Sequence, residues 1–490
     1  MSLLANIESS YLTRKLRIPS ELEPDQLDQL VSFILRVGNA NFDDVMISLE
    51  DLHKIHGKVG VPVSSVWLRS LRYVLYVDDQ RRYNLDAWFP EFTTEVEMEH
   101  GTIRNIPSAL VKLDLEDVVI SKSMMETISE AKFMTSLRIA DGARDIVLCG
   151  FPQYLERLEI RTRSDIRYTE GYSYDCERLR CLDLGWGRGF TDLPEDLVTS
   201  MSKSLTHLDL KGSPKADKSY LKRLLWKLER LQNLSMHGFD MEDGTIPPWI
   251  RILTLKKQDF RTSLPYDREW TPLPNLTELT IPFYTPMQPF LEASPNLKKL
   301  TILSDFECWL EDLGETKVEI LEIHNYSQGD EFMPIPFERI LETFTSIKKY
   351  TYTNANPHLE LTVDHTEKNT SLHISSITSS PQSRAHPSEP FNGTISLLGT
   401  DCEKHDITFH PSRIQYDCKF EILLPLTTKE IKITIIRRGE QPHTKTYTTE
   451  TLQHNSGIHQ IGSITITGEY TETTIEANIA LLPMPYLEKV

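Results

Sequence analysis

Along the middle of this chain, apolar residues recur in one arrangement, L-x-x-L-x-L, with polar residues between them. The copies are Leu110/Leu113/Leu115, Met134/Leu137/Ile139, Leu155/Leu158/Ile160, Leu179/Leu182/Leu184 and Leu205/Leu208/Leu210, then Leu231/Leu234/Met236, Ile250/Leu253/Leu255, Leu276/Leu279/Ile281 and Leu297/Leu300/Ile302. Weaker copies follow at Val318/Leu321/Ile323 and Ile347/Tyr350/Tyr352, and Leu68/Leu71/Tyr73 and Thr93/Val96/Met98 read as degenerate first copies. From Leu113 on, the middle positions lie 19–29 residues apart. Apolar residues two apart point to the same face of a strand. Each copy therefore predicts a short strand plus a return segment. One such unit cannot bury its apolar side alone, so the units are expected to stack, pair their strands in parallel and share a core.

These triplets resemble the leucine-rich-repeat superfamily, and the resemblance covers about half of the chain. The Asn that the family places after L-x-x-L-x-L-x-x is missing: Val118, Gly187, Ser213, Phe239 and Tyr284 stand there. The resemblance implies an α/β solenoid of irregular leucine-rich repeats, with a curved parallel sheet, over residues 66–356. It also implies a non-catalytic protein-interaction scaffold or receptor subunit that binds a protein partner on the concave face.

The flanking regions follow other patterns. Leu27, Leu30, Val31, Ile34 and Leu35 recur at helical spacing between Pro24 and Gly38, and Ser48 with Asp51 suggests the start of a second helix. Residues 1–65 are therefore expected to form a helical N-terminal cap. Ile18-Pro19-Ser20-Glu21-Leu22 followed by Trp67 resembles an F-box, although the interval is long for that motif. That resemblance implies that Ile18, Pro19, Leu22, Leu27 and Leu30 would meet the adaptor of a cullin ubiquitin ligase. Beyond Pro357 the apolar residues alternate, as in Leu359/Leu361/Val363 and Ile431/Ile433/Ile435, with Thr between them and glycines as punctuation. Such a pattern predicts eight or nine antiparallel strands in an all-β sandwich-like domain over 357–490.

Composition narrows the function classes. Formal net charge is −18. Residues 357–490 hold 11 Lys and Arg against 16 Asp and Glu, a net of −5 that leaves −13 for the rest. No segment is strongly basic, which argues against nucleic acid or an anionic membrane as the main ligand. Six cysteines in 490 residues are too few for a disulfide framework. No apolar run approaches a membrane span, and no basic segment followed by an apolar core opens the chain. Together these features lead us to expect a cytoplasmic or nuclear protein. A structural subunit of a larger assembly is the alternative to a receptor, and a cell-surface adhesin is a more distant one.

Candidate chemistry is sparse. Cys402, His405, His410 and Cys418 are zinc-competent by type, but their spacing matches no common finger. Gly185-Trp186-Gly187-Arg188-Gly189 imitates a phosphate loop, yet no Lys-Ser/Thr pair follows it. No hydrolase, kinase or metalloprotease signature appears. We expect no catalysis, metal or cofactor. The residue after each middle Leu should face solvent, which aligns Arg138, Glu159, Asp183 and Asp209 on successive strands, with Arg157, Arg161, His207 and Lys211 beside them. This row reads either as a self-compensating lattice of ion pairs or as an acidic stripe for a basic partner. The stripe reading takes Glu159, Asp183, Trp186, Asp209, Arg138 and His207 as partner-binding residues.

Overall fold

The computed structural model describes residues 94–103, 105–142, 146–162, 166–186, 193–211, 218–238, 244–256, 271–282, 291–304, 317–326, 337–355, 358–366, 369–376, 391–397, 400, 402–410, 418–425, 427–436, 441–448 and 463–468, with short stretches at 15–17, 25–26, 28–29, 44–46, 71–75 and 86–87. The chain divides into two compact units, Met1–Ile250 and Arg251–Val490. Most of the described backbone belongs to β-strands, and most of the pairings are parallel.

In the first unit, the triplets form strands β5 (Glu95–Ile103), β6 (Lys112–Val119), β7 (Ser136–Gly142), β9 (Arg157–Thr162), β11 (Cys181–Trp186), β12 (His207–Lys211) and β13 (Asn233–His237). Each pairs in parallel with the next. The register places Leu113, Leu137, Leu158, Leu182, Leu208 and Leu234 side by side, and every one of them is at most 2% exposed. Leu side chains two residues apart on each strand point inward, and the stacked strands convert them into one continuous core. Return segments vary. Helix α1 (Lys122–Ser129) follows β6 and is capped by Ser121, whose hydroxyl accepts from the Met124 N–H. Short strands β8 (Ile146–Leu148) and β10 (Ile166–Tyr168) serve the next two turns and pair in parallel with each other. Helices α2 (Glu195–Met201) and α3 (Lys218–Lys227) follow β11 and β12.

The turns into these strands share one hydrogen-bond scheme. A single carbonyl accepts two successive N–H groups of the next turn: Val111 from Thr135 and Ser136, Thr135 from Glu156 and Arg157, Glu156 from Arg180 and Cys181. The scheme continues with Arg180 and Thr206. It satisfies the backbone where the chain bends into the sheet.

The N-terminal region departs from the helical cap that its sequence suggests. Strands β1 (Lys15–Arg17), β2 (Asp44–Met46) and β3 (Leu71–Leu75) pair in parallel in chain order, and β3 pairs with β5. The parallel sheet therefore begins within the first 65 residues, and the helical residues Asp25, Gln26, Asp28 and Gln29 lie between two of its strands. Strand β4 (Asp86–Ala87) adds a short parallel pairing to β5. Tyr73, not Leu71, lies opposite Val96, so the early copy is displaced by two residues from its sequence alignment.

In the second unit, β14 (Ile252–Lys256), β15 (Glu278–Pro282), β16 (Lys299–Ser304), β17 (Ile320–Asn325) and β18 (Lys349–Ala355) again pair in parallel and in order, with helix α4 (Phe337–Thr343) before β18. Beyond residue 356 the sheet does not stop. Strand β19 (His358–His365) folds back antiparallel on β18, and β20 (Asn369–Ser376) pairs with β19. Next come β22 (Lys404–Phe409), β24 (Glu430–Ile435) and β25 (His443–Thr448). A second sheet holds β21 (Phe391–Ser396), β23 (Cys418–Leu423) and β26 (Ser463–Gly468). Phe409 and Phe420, one from each sheet, meet edge-on at 6.0 Å.

This arrangement corrects the all-antiparallel expectation. From β20 to β24 the chain alternates between the two sheets, so β20/β22, β22/β24 and β21/β23 are parallel neighbours. A strand that returns to its sheet by way of the opposite sheet runs in its original direction. The second unit has an apolar column of its own: Leu253, Leu279, Leu300, Leu321, Tyr350, Val363, Leu372, Ile407 and Ile433 are in register and at most 1% exposed.

Candidate functional site

On the solvent side of the first unit's sheet, the residue after the inward-pointing Leu forms a second row. Asp114, Arg138, Glu159, Asp183, Asp209 and Ser235 are register neighbours on six consecutive strands. Two residues further along each strand lies a parallel row: Glu116, Ala140, Arg161, Gly185, Lys211 and His237. Strand pairing fixes the spacing between neighbours at about 4.8 Å. Side chains in the two rows are therefore within reach of those one strand away.

They join into one ion-pair ladder. The Arg138 guanidinium donates to Asp114 at 2.7 Å, to Glu116 at 3.1 Å and to Glu159 at 3.0 Å. Arg161 lies 3.2 Å from Glu159 and donates to Asp183. Lys211 lies 3.4 Å from both Asp183 and Asp209. Arg157 approaches Glu159 at 3.6 Å from a more exposed position, and His237 lies 4.0 Å from Asp209. Burial opposes the charge on Arg138, but hydrogen bonds and charge from Asp114, joined by Glu159 and Glu116, outweigh it and raise its pKa. The pKa of Arg161 rises chiefly through its hydrogen bond to Asp183.

The acidic column is therefore present as expected, but most of its charge is met within the sheet. Adjacent like charges on parallel strands repel, and the cations of the second row offset that repulsion. Asp183 Oδ1 and Asp209 Oδ1 are both enclosed, and neither has a hydrogen-bond partner among the described residues. These two carboxylates are register neighbours.

The remaining expected residues distribute as follows. Arg138 belongs to the ladder as its most connected member. His207 is exposed at the start of β12, and its Nδ1 meets the Thr206 hydroxyl at 2.8 Å rather than the ladder. Trp186 ends β11 opposite Thr162. Ile18, Pro19, Leu22, Leu27 and Leu30 lie outside the described residues. Sequence reasoning missed Glu116 and His237. The available signal was the second outward row, two residues after the first, where the small side chains of Ala140 and Gly185 alternate with charged ones.

The other candidates dissolve into structure. His405 is 1% exposed, and its Nε2 meets the Thr428 hydroxyl at 3.1 Å. Cys402 donates to the Thr366 carbonyl at 3.4 Å, while Cys418 starts a strand of the opposite sheet. Among the described residues no group of three His, Cys, Asp or Glu could hold a metal ion. Cys176 is a buried free thiol, pushed up to about 12 by desolvation, and Cys181 is also free. No helix among the described residues is long and apolar enough to cross a membrane. No protein-family model matches this chain, and neither does any curated protein.

Proposed function

We propose that this chain is a non-catalytic interaction scaffold or receptor subunit built on irregular leucine-rich repeats, and that it binds a basic protein partner on the solvent-facing side of the first unit's sheet. The observation that supports this reading most directly is the acidic pair Asp183 and Asp209, register neighbours that share the Lys211 ammonium. The Asp209 side chain is 30% exposed. A Lys or Arg from a partner would therefore meet a carboxylate at the surface of the row and relieve the repulsion between the two. The ladder on the other side of Asp183 holds the two carboxylates in fixed register, so binding would require little ordering. Electrostatic attraction of this kind governs association rate and specificity more than total affinity.

A photo-crosslinking amino acid at Ser235, next to Asp209 in the row, tests the proposal in cells that express the protein. The expected product is a discrete adduct whose partner peptide carries Lys or Arg beside the crosslink. Adducts from a control probe at Arg223, on the exposed face of α3, with none from Ser235, would place the partner on the return side and refute the reading.

A further inference from the structure

The turn before each strand repeats the same geometry. Pro107–Leu110, Pro152–Leu155, Cys176–Leu179, Leu228–Leu231 and Pro247–Ile250 each close with an N–H to carbonyl bond of 3.0–3.3 Å spanning three residues. Their third residues are Ala109, Tyr154, Arg178, Arg230 and Trp249, and Phe133 and Ser204 hold the equivalent place before Met134 and Leu205. From Phe133 to Trp249 this column is mainly aromatic residues and Arg, the types that dominate binding hot spots. In the second unit the same turn position holds Asn275, Asn296 and Ser346. Turn geometry does not demand aromatic residues, since the second unit makes the same turns with small polar ones.

The column is also open to solvent. Phe133 is 62% exposed and Tyr154 is 38% exposed. Trp226 of α3, 40% exposed, packs edge-on against Trp249 at 5.5 Å. Both indole N–H groups donate inward, to the Gly244 and Leu228 carbonyls. The Arg178 guanidinium stacks on Tyr154 at 4.6 Å. Neither Arg178 nor Arg230 has a carboxylate partner among the described residues. Stacking leaves the edge of a guanidinium free to bind a carboxylate through two N–H groups. Lys132, Arg178, Lys203 and Arg230 stand on these turns with Glu177 and Glu229, a local net of +2 on a chain of −18.

We propose that this rim is a second docking surface, distinct from the charged face of the sheet, and that it takes an extended acidic segment of a partner protein flanked by apolar side chains. Spacing sets the pattern. Arg178 and Arg230 are two turns apart, about 10 Å, which an extended chain covers in about three residues. The Phe133/Tyr154 and Trp226/Trp249 platforms lie beyond them at either end. The matching segment has two acids three residues apart, each followed or preceded two residues away by a large apolar side chain.

The probe is a fluorescent peptide, Phe-Ser-Glu-Ser-Ser-Glu-Ser-Leu, titrated with the full chain by anisotropy. Wild type should bind it saturably. Arg178→Glu with Arg230→Glu should weaken binding by about tenfold or more, and so should Phe133→Ser with Tyr154→Ser. All four side chains are exposed, so the variants should melt with the wild type. A peptide with Lys in place of both Glu should bind much more weakly. No binding of the Glu peptide by wild type at millimolar chain, equal binding of the Lys peptide, or undiminished binding by the folded Arg variant would each overturn the proposal. Ser235 crosslinking is unaffected by any of these outcomes, so the two surfaces stand or fall separately.

Discussion

Replacing Arg138 by Met removes the charge that ties three carboxylates together while keeping most of the apolar stem. Asp114 then loses its one ion-pair partner among the described residues, whereas Glu159, only 7% exposed in its side chain, keeps Arg161 and Arg157. A hydrogen bond to a charged group contributes about 1.5–3 kcal/mol, and stripping one partner from a fully buried pair costs about 3–5 kcal/mol. Arg138 is 28% exposed in its side chain, so water can replace part of what is lost. A destabilisation of about 2 kcal/mol follows, against about 0.5 kcal/mol or less for Arg157→Met, whose pair is exposed. Urea unfolding measures both variants. Much of the loss reflects repulsion among Asp114, Glu116 and Glu159, so about 1 M NaCl, with a screening length near 3 Å, should recover part of it. In a double-mutant cycle, Glu159→Gln should rescue about 1 kcal/mol of the Arg138→Met loss. A variant within about 0.5 kcal/mol of wild type in low salt, or a loss indifferent to salt, would refute the claim that the ladder is held by charge.

Two further outcomes follow from the core. Leu208→Ala, at a position 2% exposed in the middle of the Leu column, should cost about 2–5 kcal/mol of stability in the same unfolding assay; a smaller loss would mean that the column is not packed as described. Burial lowers the pKa of His405 to about 4, whereas an unfolded His titrates near 6.5. The native state therefore refuses a proton that the unfolded chain accepts. Stability should be complete above pH about 6.5 and fall by about 3 kcal/mol as pH drops to about 4. The variant His405→Phe should lack that part of the slope between pH 7 and 4.5, and an identical slope in both proteins would contradict the assignment.

The strands of the middle region were legible because their Leu residues repeat at a spacing that only stacked strands use. The N-terminal strands were not. Lys15–Arg17 and Asp44–Met46 are three residues long and each begins on a charged residue, and the stronger helical period at Leu27 to Leu35 overshadowed them. Tyr73 shows a different limit: a slip of two residues keeps every side chain on its face, so alternation could not choose between Leu71 and Tyr73. Past residue 357, alternation disclosed strands and faces but not direction, because direction depends on which sheet each connection visits. At the charged row, strand register was readable and the acids aligned as expected. What was not readable was reach. Arg138 and Arg161 extend across neighbouring strands to acids that are distant in sequence, and only their three-dimensional placement shows how little of the row is left unmet.

The hairpin that joins β18 to β19 has a consequence for solubility. A parallel array of strands ends in a row of bare N–H and C=O groups, a template on which another chain can assemble. Here seven residues of β18, Lys349 to Ala355, are matched by seven of β19, so the array's last parallel edge is occupied by its own chain. A protein cut at residue 356 would present that edge together with the side chain of Tyr350, now 1% exposed. Such a fragment should form fibrillar aggregates, even though every triplet strand would still be present in it.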